Sequence, residues 1–209
     1  MLIRFYKPFG VLCQFRAPDD RPTLADYVDQ PGVHAAGRLD FDSEGLLLLT
    51  DEGPLQARIS EPRHKLPKTY LVQVEARPGP EELAVLVDRL RAGVPLRDGV
   101  ARAVAVRAVC APALPPRHPA VTPHRAARSS WVEVVLTEGR NRQVRRMLAA
   151  VGMPVLRLVR IAIGPIALQG LRPGEWEVVE VPETLRAPPS AGSPGRSRAS
   201  RGRLRRPRS

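Results

Sequence analysis

Gly37-Arg38-Leu39-Asp40-Phe41-Asp42-Ser43-Glu44-Gly45-Leu46-Leu47-Leu48-Leu49-Thr50 sets a cluster of acids directly before an unbroken apolar run. The run Leu46–Thr50 is too short for a helix of ordinary length and predicts a buried strand, which Asp51-Glu52-Gly53 then turns. Taken alone, the acids fit a solvated loop. They also fall partly on a calcium-loop pattern, with Asp40, Asp42, Glu44, Gly45 and Asp51 at positions 1, 3, 5, 6 and 12. That pattern needs a bidentate Glu at its last position and a helix on either side. Gly37 interrupts the entering side and Gly53-Pro54 breaks the exiting one, so calcium is disfavoured.

Outward from this stretch the chain alternates between strand and helix patterns. Leu2–Phe5 reads as a strand closed by Lys7-Pro8-Phe9-Gly10, and Thr23–Val28 as a helical turn or two. Leu55–Ser60 reads as a helix, followed by a basic loop through Arg63, His64 and Lys65. Thr69–Ala76 alternates Tyr70, Val72 and Val74 with Leu71, Gln73 and Glu75, the period of a strand. Pro80–Ala92 is the clearest helix: Leu83, Leu86, Val87 and Leu90 share a face, and Gly93 ends it. Ala103–Val109, Trp131–Thr137, Val155–Ile163 and Trp176–Val181 are further strands. Asn141–Val151 predicts a helix with Val144, Met147, Leu148 and Val151 on one side. Residues 111–128, rich in Pro, His and Arg, read as a long surface loop. The expectation is an α+β domain over residues 1–183, built on an extended, largely antiparallel sheet.

Composition narrows the partners. The 209 residues include 43% hydrophobic ones, enough for a sizeable core, and no apolar stretch long enough to span a membrane. Two cysteines, Cys13 and Cys110, far apart and without CxxC spacing, predict free thiols in a reducing cytoplasm rather than zinc or a disulfide. The four histidines lack metal-ligand or triad spacing, so no metal is expected. Net charge is +12 and the pI near 11.1, which suits a polyanion. Residues 184–209 carry eight Arg and no acid, leaving +4 for residues 1–183. That Pro/Ser/Arg-rich tail predicts disorder and loose attraction to RNA phosphates. The richness in Ala, Arg and Pro points to a bacterium with a GC-rich genome.

Five segments together carry a resemblance. Lys7-Pro8-Phe9-Gly10, Gly37-Arg38-Leu39-Asp40 with its apolar strand, and Lys68-Thr69-Tyr70 come first. Glu138-Gly139-Arg140-Asn141-Arg142-Gln143-Val144-Arg145-Arg146-Met147 and Leu156-Arg157-Leu158-Val159-Arg160-Ile161, with Gly164 and Gly174-Glu175-Trp176, complete the series. In this order they resemble the motifs of RNA pseudouridine synthases, in particular the RsuA group and its large-subunit type E branch. The match covers roughly residues 1 to 181 and leaves no room before Lys7 for the S4 RNA-binding module that many relatives carry. Phe41 stands where a basic residue is common, and Asp51-Glu52 replaces a more usual Asn-containing turn.

The resemblance implies the family's fold: a bent mixed, mostly antiparallel sheet with flanking helices and a central basic cleft. It implies isomerisation of uridine to pseudouridine in ribosomal RNA, with large-subunit RNA favoured, free or in a ribosome assembly intermediate, by a monomeric cytoplasmic enzyme. Small-subunit RNA or tRNA as substrate, and a non-catalytic RNA-binding assembly factor, are the alternatives. The reaction breaks the N1–C1′ bond, turns the uracil and joins C5 to C1′, so it needs no cofactor. Asp40 inherits the role of catalytic carboxylate and Tyr70 that of stacking on the flipped base. Arg145 inherits the guanidinium opposite Asp40 that keeps it ionised. For substrate binding the resemblance points to Arg38, Lys7, Arg142, Arg146 and Leu158.

Overall fold

Strand β3 (Glu44–Thr50) is buried along its whole length, and this explains its unbroken leucine run. Leu46 and Leu48 face one apolar cluster with Leu2, Tyr6, Leu55 and Ile59. Leu47 and Leu49 face another with Ile3, Phe5, Leu24, Val28 and Val33. A strand covered on both faces has no use for polar alternation.

The computed structural model describes residues 1–186. Its strands and helices run β1 (Leu2–Lys7), β2 (His34–Ala35), β3, α1 (Gly53–Ser60), β4 (Lys68–Val74), α2 (Pro80–Ala92), β5 (Val94–Leu96), β6 (Gly99–Ala101), β7 (Ala105–Val109), α3 (Pro123–Ala126), β8 (Ser130–Leu136), α4 (Gln143–Ala150), β9 (Val155–Ile163), β10 (Ile166–Ala167) and β11 (Trp176–Val179). The main sheet has the order β11-β1-β3-β9-β4-β8-β7, with β2 added to β3 and β10 to β9; β5 and β6 form a separate hairpin. Every pairing is antiparallel except β3 with β9. The architecture is the α+β, mostly antiparallel one that the sequence implied.

The sheet has two halves. Around β4, β8 and β7, the residues Val72, Val74, Val132, Val134 and Leu136 pack under Leu86 and Leu90 of α2 and Val144, Met147 and Leu148 of α4. The helical faces read from sequence are thus the buried ones, with Leu83 and Val87 partly covered at the margin. Each fully buried Leu or Val contributes about 1.5–3 kcal/mol. The other half surrounds β1 and β3. The halves meet where Glu44 pairs with Val159 and Gly45 with Arg160. Gly45 has φ +103, and a Cβ there would lie 2.3 Å from the Arg160 carbonyl oxygen, so only glycine permits this approach.

Several boundaries differ from the sequence reading. β3 begins at Glu44, because the two residues before the leucines supply the pairing to β9. The region 111–128 is mostly irregular but holds the short α3. It is also tied down: Arg117 donates to the carbonyls of Pro119 (2.7 Å) and Leu156 (3.1 Å) and lies 4.5 Å over the Phe9 ring. Glu183–Leu185 makes a 3-10 turn that buries Leu185, so the packed body continues past residue 183. Residues 187–209, most of the expected Arg-rich tail, lie outside the described residues.

Candidate active site

Asp40 sits in the link between β2 and β3, at the seam of the two half-sheets. The turn it opens is closed by the Ser43 N–H donating to the Asp40 carbonyl at 3.0 Å. Three outside contacts fix this loop. Gly10 N–H donates to Phe41 O (2.9 Å), Leu39 N–H to Cys13 Sγ (3.2 Å), and Arg160 Nη1 to Arg38 O (3.3 Å). Beneath the loop, Glu44 and Arg157 form a buried two-pronged pair at 2.9 and 2.8 Å, and Arg157 also donates to Pro115 O. Burial and the adjacent Glu44 charge push the Tyr6 phenol up to about 12.

A cavity of about 300 Å³ opens beside Asp40. Its walls include Arg38, Asp40, Lys68, Tyr70, Leu158, Arg160 and the stretch Glu138–Val144 at the start of α4. Five basic residues (Arg38, Lys68, Arg140, Arg142, Arg160) line it against two acids, Asp40 and Glu138, so the cavity favours an anionic ligand. Tyr70 and Leu158, from neighbouring strands β4 and β9, supply its apolar surface. Of the residues expected from sequence, the cavity brings together Asp40, Tyr70, Arg38, Arg142 and Leu158.

Three residues sit elsewhere than expected. Arg145 was expected opposite Asp40; its nearest carboxylate is Asp42, with Nε 3.3 Å from Asp42 Oδ2 and Nη2 donating to the Asp42 carbonyl at 2.6 Å. The cation beside Asp40 is Arg142, 4.0 Å away, which also grips Asp42 through two hydrogen bonds of 2.9 and 2.8 Å. Arg142 can do this because it stands just before α4 with φ +48, a left-handed conformation that costs a non-glycine residue about 1–3 kcal/mol. Burial raises the Asp42 carboxyl, but the Arg142 hydrogen bonds and the Arg145 charge outweigh it and hold Asp42 below the usual range. Burial lowers Arg145 from its ordinary value.

Arg146 was expected at RNA phosphates and is instead paired with Asp98 at 2.8 and 2.9 Å, one position further round the helix and outside the cavity. Lys7 was expected to touch substrate. It is wholly buried, with Nζ donating to Pro8 O at 2.8 Å, and burial lowers it to about 8. Both corrections follow from tertiary partners that spacing along the chain does not reveal.

Sequence reasoning also passed over Lys68, Arg160, Glu138 and Arg140. Glu138 ties down Gln143 and Arg140, and Arg140 in turn donates to the carbonyls of Asp98, Gly99 and Val100 in the β5–β6 turn. Lys68 was within reach of the strand period: it lies two residues before Tyr70, so the two share a face. The acids of the calcium pattern do not converge. Asp42 and Glu44 face arginines, and Asp51 faces the N-terminal ammonium at 2.7 Å.

Comparisons with known proteins point to one family. Residues 1–150 match the family model described as RNA pseudouridylate synthase. The chain belongs to the RNA pseudouridylate synthase family. A ribosomal large subunit pseudouridine synthase E from Xanthomonas campestris pv. campestris is 55% identical, over 85% of this chain and 95% of that protein. One of the same name from Vibrio parahaemolyticus is 46% identical, over 86% and 74%. A crystal structure of a pseudouridylate synthase superimposes with a TM-score of 0.66 at 31% identity, over 86% of this chain and 70% of that one. As a pseudouridine synthase, the chain carries the family's fold on its two-part sheet. No helix among the described residues is long and apolar enough to cross a membrane.

Proposed function

We propose that this pseudouridine synthase isomerises a uridine of large-subunit ribosomal RNA, with Asp40 as the reacting carboxylate. The observation that carries the reading is the cavity itself. Asp40, the cavity acid other than Glu138, shares the cavity with the apolar surface of Tyr70 and Leu158 and a basic rim. Relatives named as large-subunit enzymes, matched over most of their length, favour that RNA over the small-subunit or transfer RNAs.

The target uridine must leave the RNA stack for its glycosidic bond to be reached. Tyr70 then supports the extruded ring by stacking, worth about 1–3 kcal/mol. Arg38, exposed at the mouth of the cavity, is placed to meet the RNA that the uridine leaves. Arg142, 4.0 Å away, sets a positive charge beside the reacting carboxylate. Arg145 acts one step removed, by fixing Asp42 and so the Asp40 turn. The N1–C1′ bond breaks, the uracil turns in the cavity, C5 bonds to C1′, the C5 hydrogen leaves as a proton and N1 takes a proton up. Fixed dipoles and charges in the walls lower the cost of the charge that develops on the way. The enzyme works as a cytoplasmic monomer on RNA alone or in an assembly intermediate.

Tritium release from RNA transcribed with C5-tritiated uridine tests this. Release from the large-subunit transcript, with little from small-subunit RNA or tRNA, is expected. Release only from another RNA would reassign the substrate. Tight RNA binding without any release would favour an assembly factor.

A further inference from the structure

Most cations around the cavity already have a carboxylate. Arg142 and Arg145 share Asp42, Arg140 has Glu138, and Arg157 has Glu44. Two buried cations in the cavity wall have none among the described residues. Lys68 is 9% exposed, and its Nζ donates only to Leu66 O at 3.2 Å. Arg160 is 3% exposed; Nε donates to Leu46 O at 2.7 Å and Nη1 to Arg38 O, while Nη2 is buried without a partner. A buried cation without a counter-charge is costly to keep, and here two lie close together. Burial and the adjacent Arg160 charge both lower Lys68 from its ordinary value.

Their position says which charge they await. Lys68 and Tyr70 share one face of β4, and Tyr70 lies directly across from Arg160 on β9. A uracil resting on Tyr70 therefore has these cations at its edge. On the basis of the reading above, we infer that Lys68 is a further catalytic residue, stabilising negative charge on uracil O2 or O4, with Arg160 as its positioning partner.

The charge arises on every route open to Asp40. If the C1′–N1 bond breaks heterolytically, its electron pair leaves with the ring and spreads over N1, O2 and O4. If Asp40 adds to C6, the C5–C6 π pair moves to give an enolate at O4. In each case the charge is discharged when C5 bonds to C1′; C5 then gives up its proton and N1 takes one up, so atoms and charge balance and no co-reactant is needed. Lys68 keeps its proton throughout and acts by field and hydrogen bond. Arg160 also holds the Arg38 carbonyl, two residues from Asp40, and so joins the floor of the cavity to the catalytic loop.

Single-turnover tritium release with Lys68→Met, Lys68→Arg and wild type tests the inference, beside RNA binding measured over a range of salt. Lys68→Met is expected to lose about 10²-fold in rate, with affinity and salt slope unchanged and with most of the rate restored in Lys68→Arg. A normal rate in Lys68→Met would overturn it. So would a loss tracking weaker binding and a salt slope reduced by about one, the behaviour of a phosphate clamp.

RNA containing 5-fluorouridine separates charge stabilisation from a merely structural role. Its ring accepts negative charge more readily, so the Lys68→Met deficit, followed as consumption of the fluorinated nucleoside, should shrink several-fold. An equal deficit on both substrates overturns the inference, even if the variant is less stable. Inactive wild-type enzyme on RNA that it binds would overturn the parent reading as well. Active wild type with an unaffected Lys68→Met overturns this inference alone.

Discussion

Around the loop that carries Asp40, five arginines meet carboxylates: Arg142 and Arg145 at Asp42, Arg157 at Glu44, Arg140 at Glu138 and Arg146 at Asp98. On the strand floor across the cavity, Lys68 and Arg160 meet only carbonyl oxygens. The paired wall has its geometry set before any RNA arrives, since four of the five guanidiniums are held by a partner from a distant part of the chain. The floor keeps positive charge in reserve for what the substrate brings. One site thus uses the same kind of side chain in two ways, and the presence of an acid decides which.

Breaking the seam between wall and floor gives the largest effect. In Gly45→Ala the new Cβ meets the backbone of Arg160 and the positive φ is strained, so we expect a loss of about 4 kcal/mol in chemical denaturation. Asp42→Asn would convert the paired wall into a second unpaired one. Arg142 and Arg145 lose their shared carboxylate, stability drops by about 2 kcal/mol, and the rate falls about 10-fold as the Asp40 turn loosens.

Lys7 sharpens the contrast from behind the site. Its folded value near 8 lies below the ordinary 10.5, so between these values the unfolded chain binds more protons. Stability therefore rises with pH, by about 2 kcal/mol between pH 8 and 10 from this group. Above pH 10, Tyr6, raised to about 12, opposes the rise because the unfolded chain loses that proton first. Denaturation across this range should show a clearly steeper rise in wild type than in Lys7→Met, where Lys68, also lowered, still contributes. Arg146→Ala should change least: its pair with Asp98 is exposed, so both chemical denaturation and tritium release should stay close to wild type.

Much of this architecture is legible in the chain. The leucine run of β3, the alternation in β4 and the apolar faces of α2 and α4 each announce the burial they achieve. The resemblance of Gly37–Asp40 and Lys68–Tyr70 to family motifs singled out side chains that the fold gathers in one cavity. What spacing cannot show is partnership between distant segments. Arg142, Arg145 and Arg146 look alike on a helical wheel, yet Asp42 takes two of them and Asp98 the third. The β5–β6 hairpin is too short for a periodic signal, and the parallel contact of β3 with β9 spans only two residue pairs. The unpaired state of Lys68 and Arg160 exists only once every neighbour has been placed.

The central claim is that Asp40, on the paired wall, performs the isomerisation. Asp40→Asn keeps the size of the side chain and removes its charge. Compared with wild type on C5-tritiated large-subunit RNA at saturating enzyme, the variant should bind the RNA equally and lose more than about 10⁴-fold in tritium release. Release within 10-fold of wild type would contradict the account and move the chemistry to another residue.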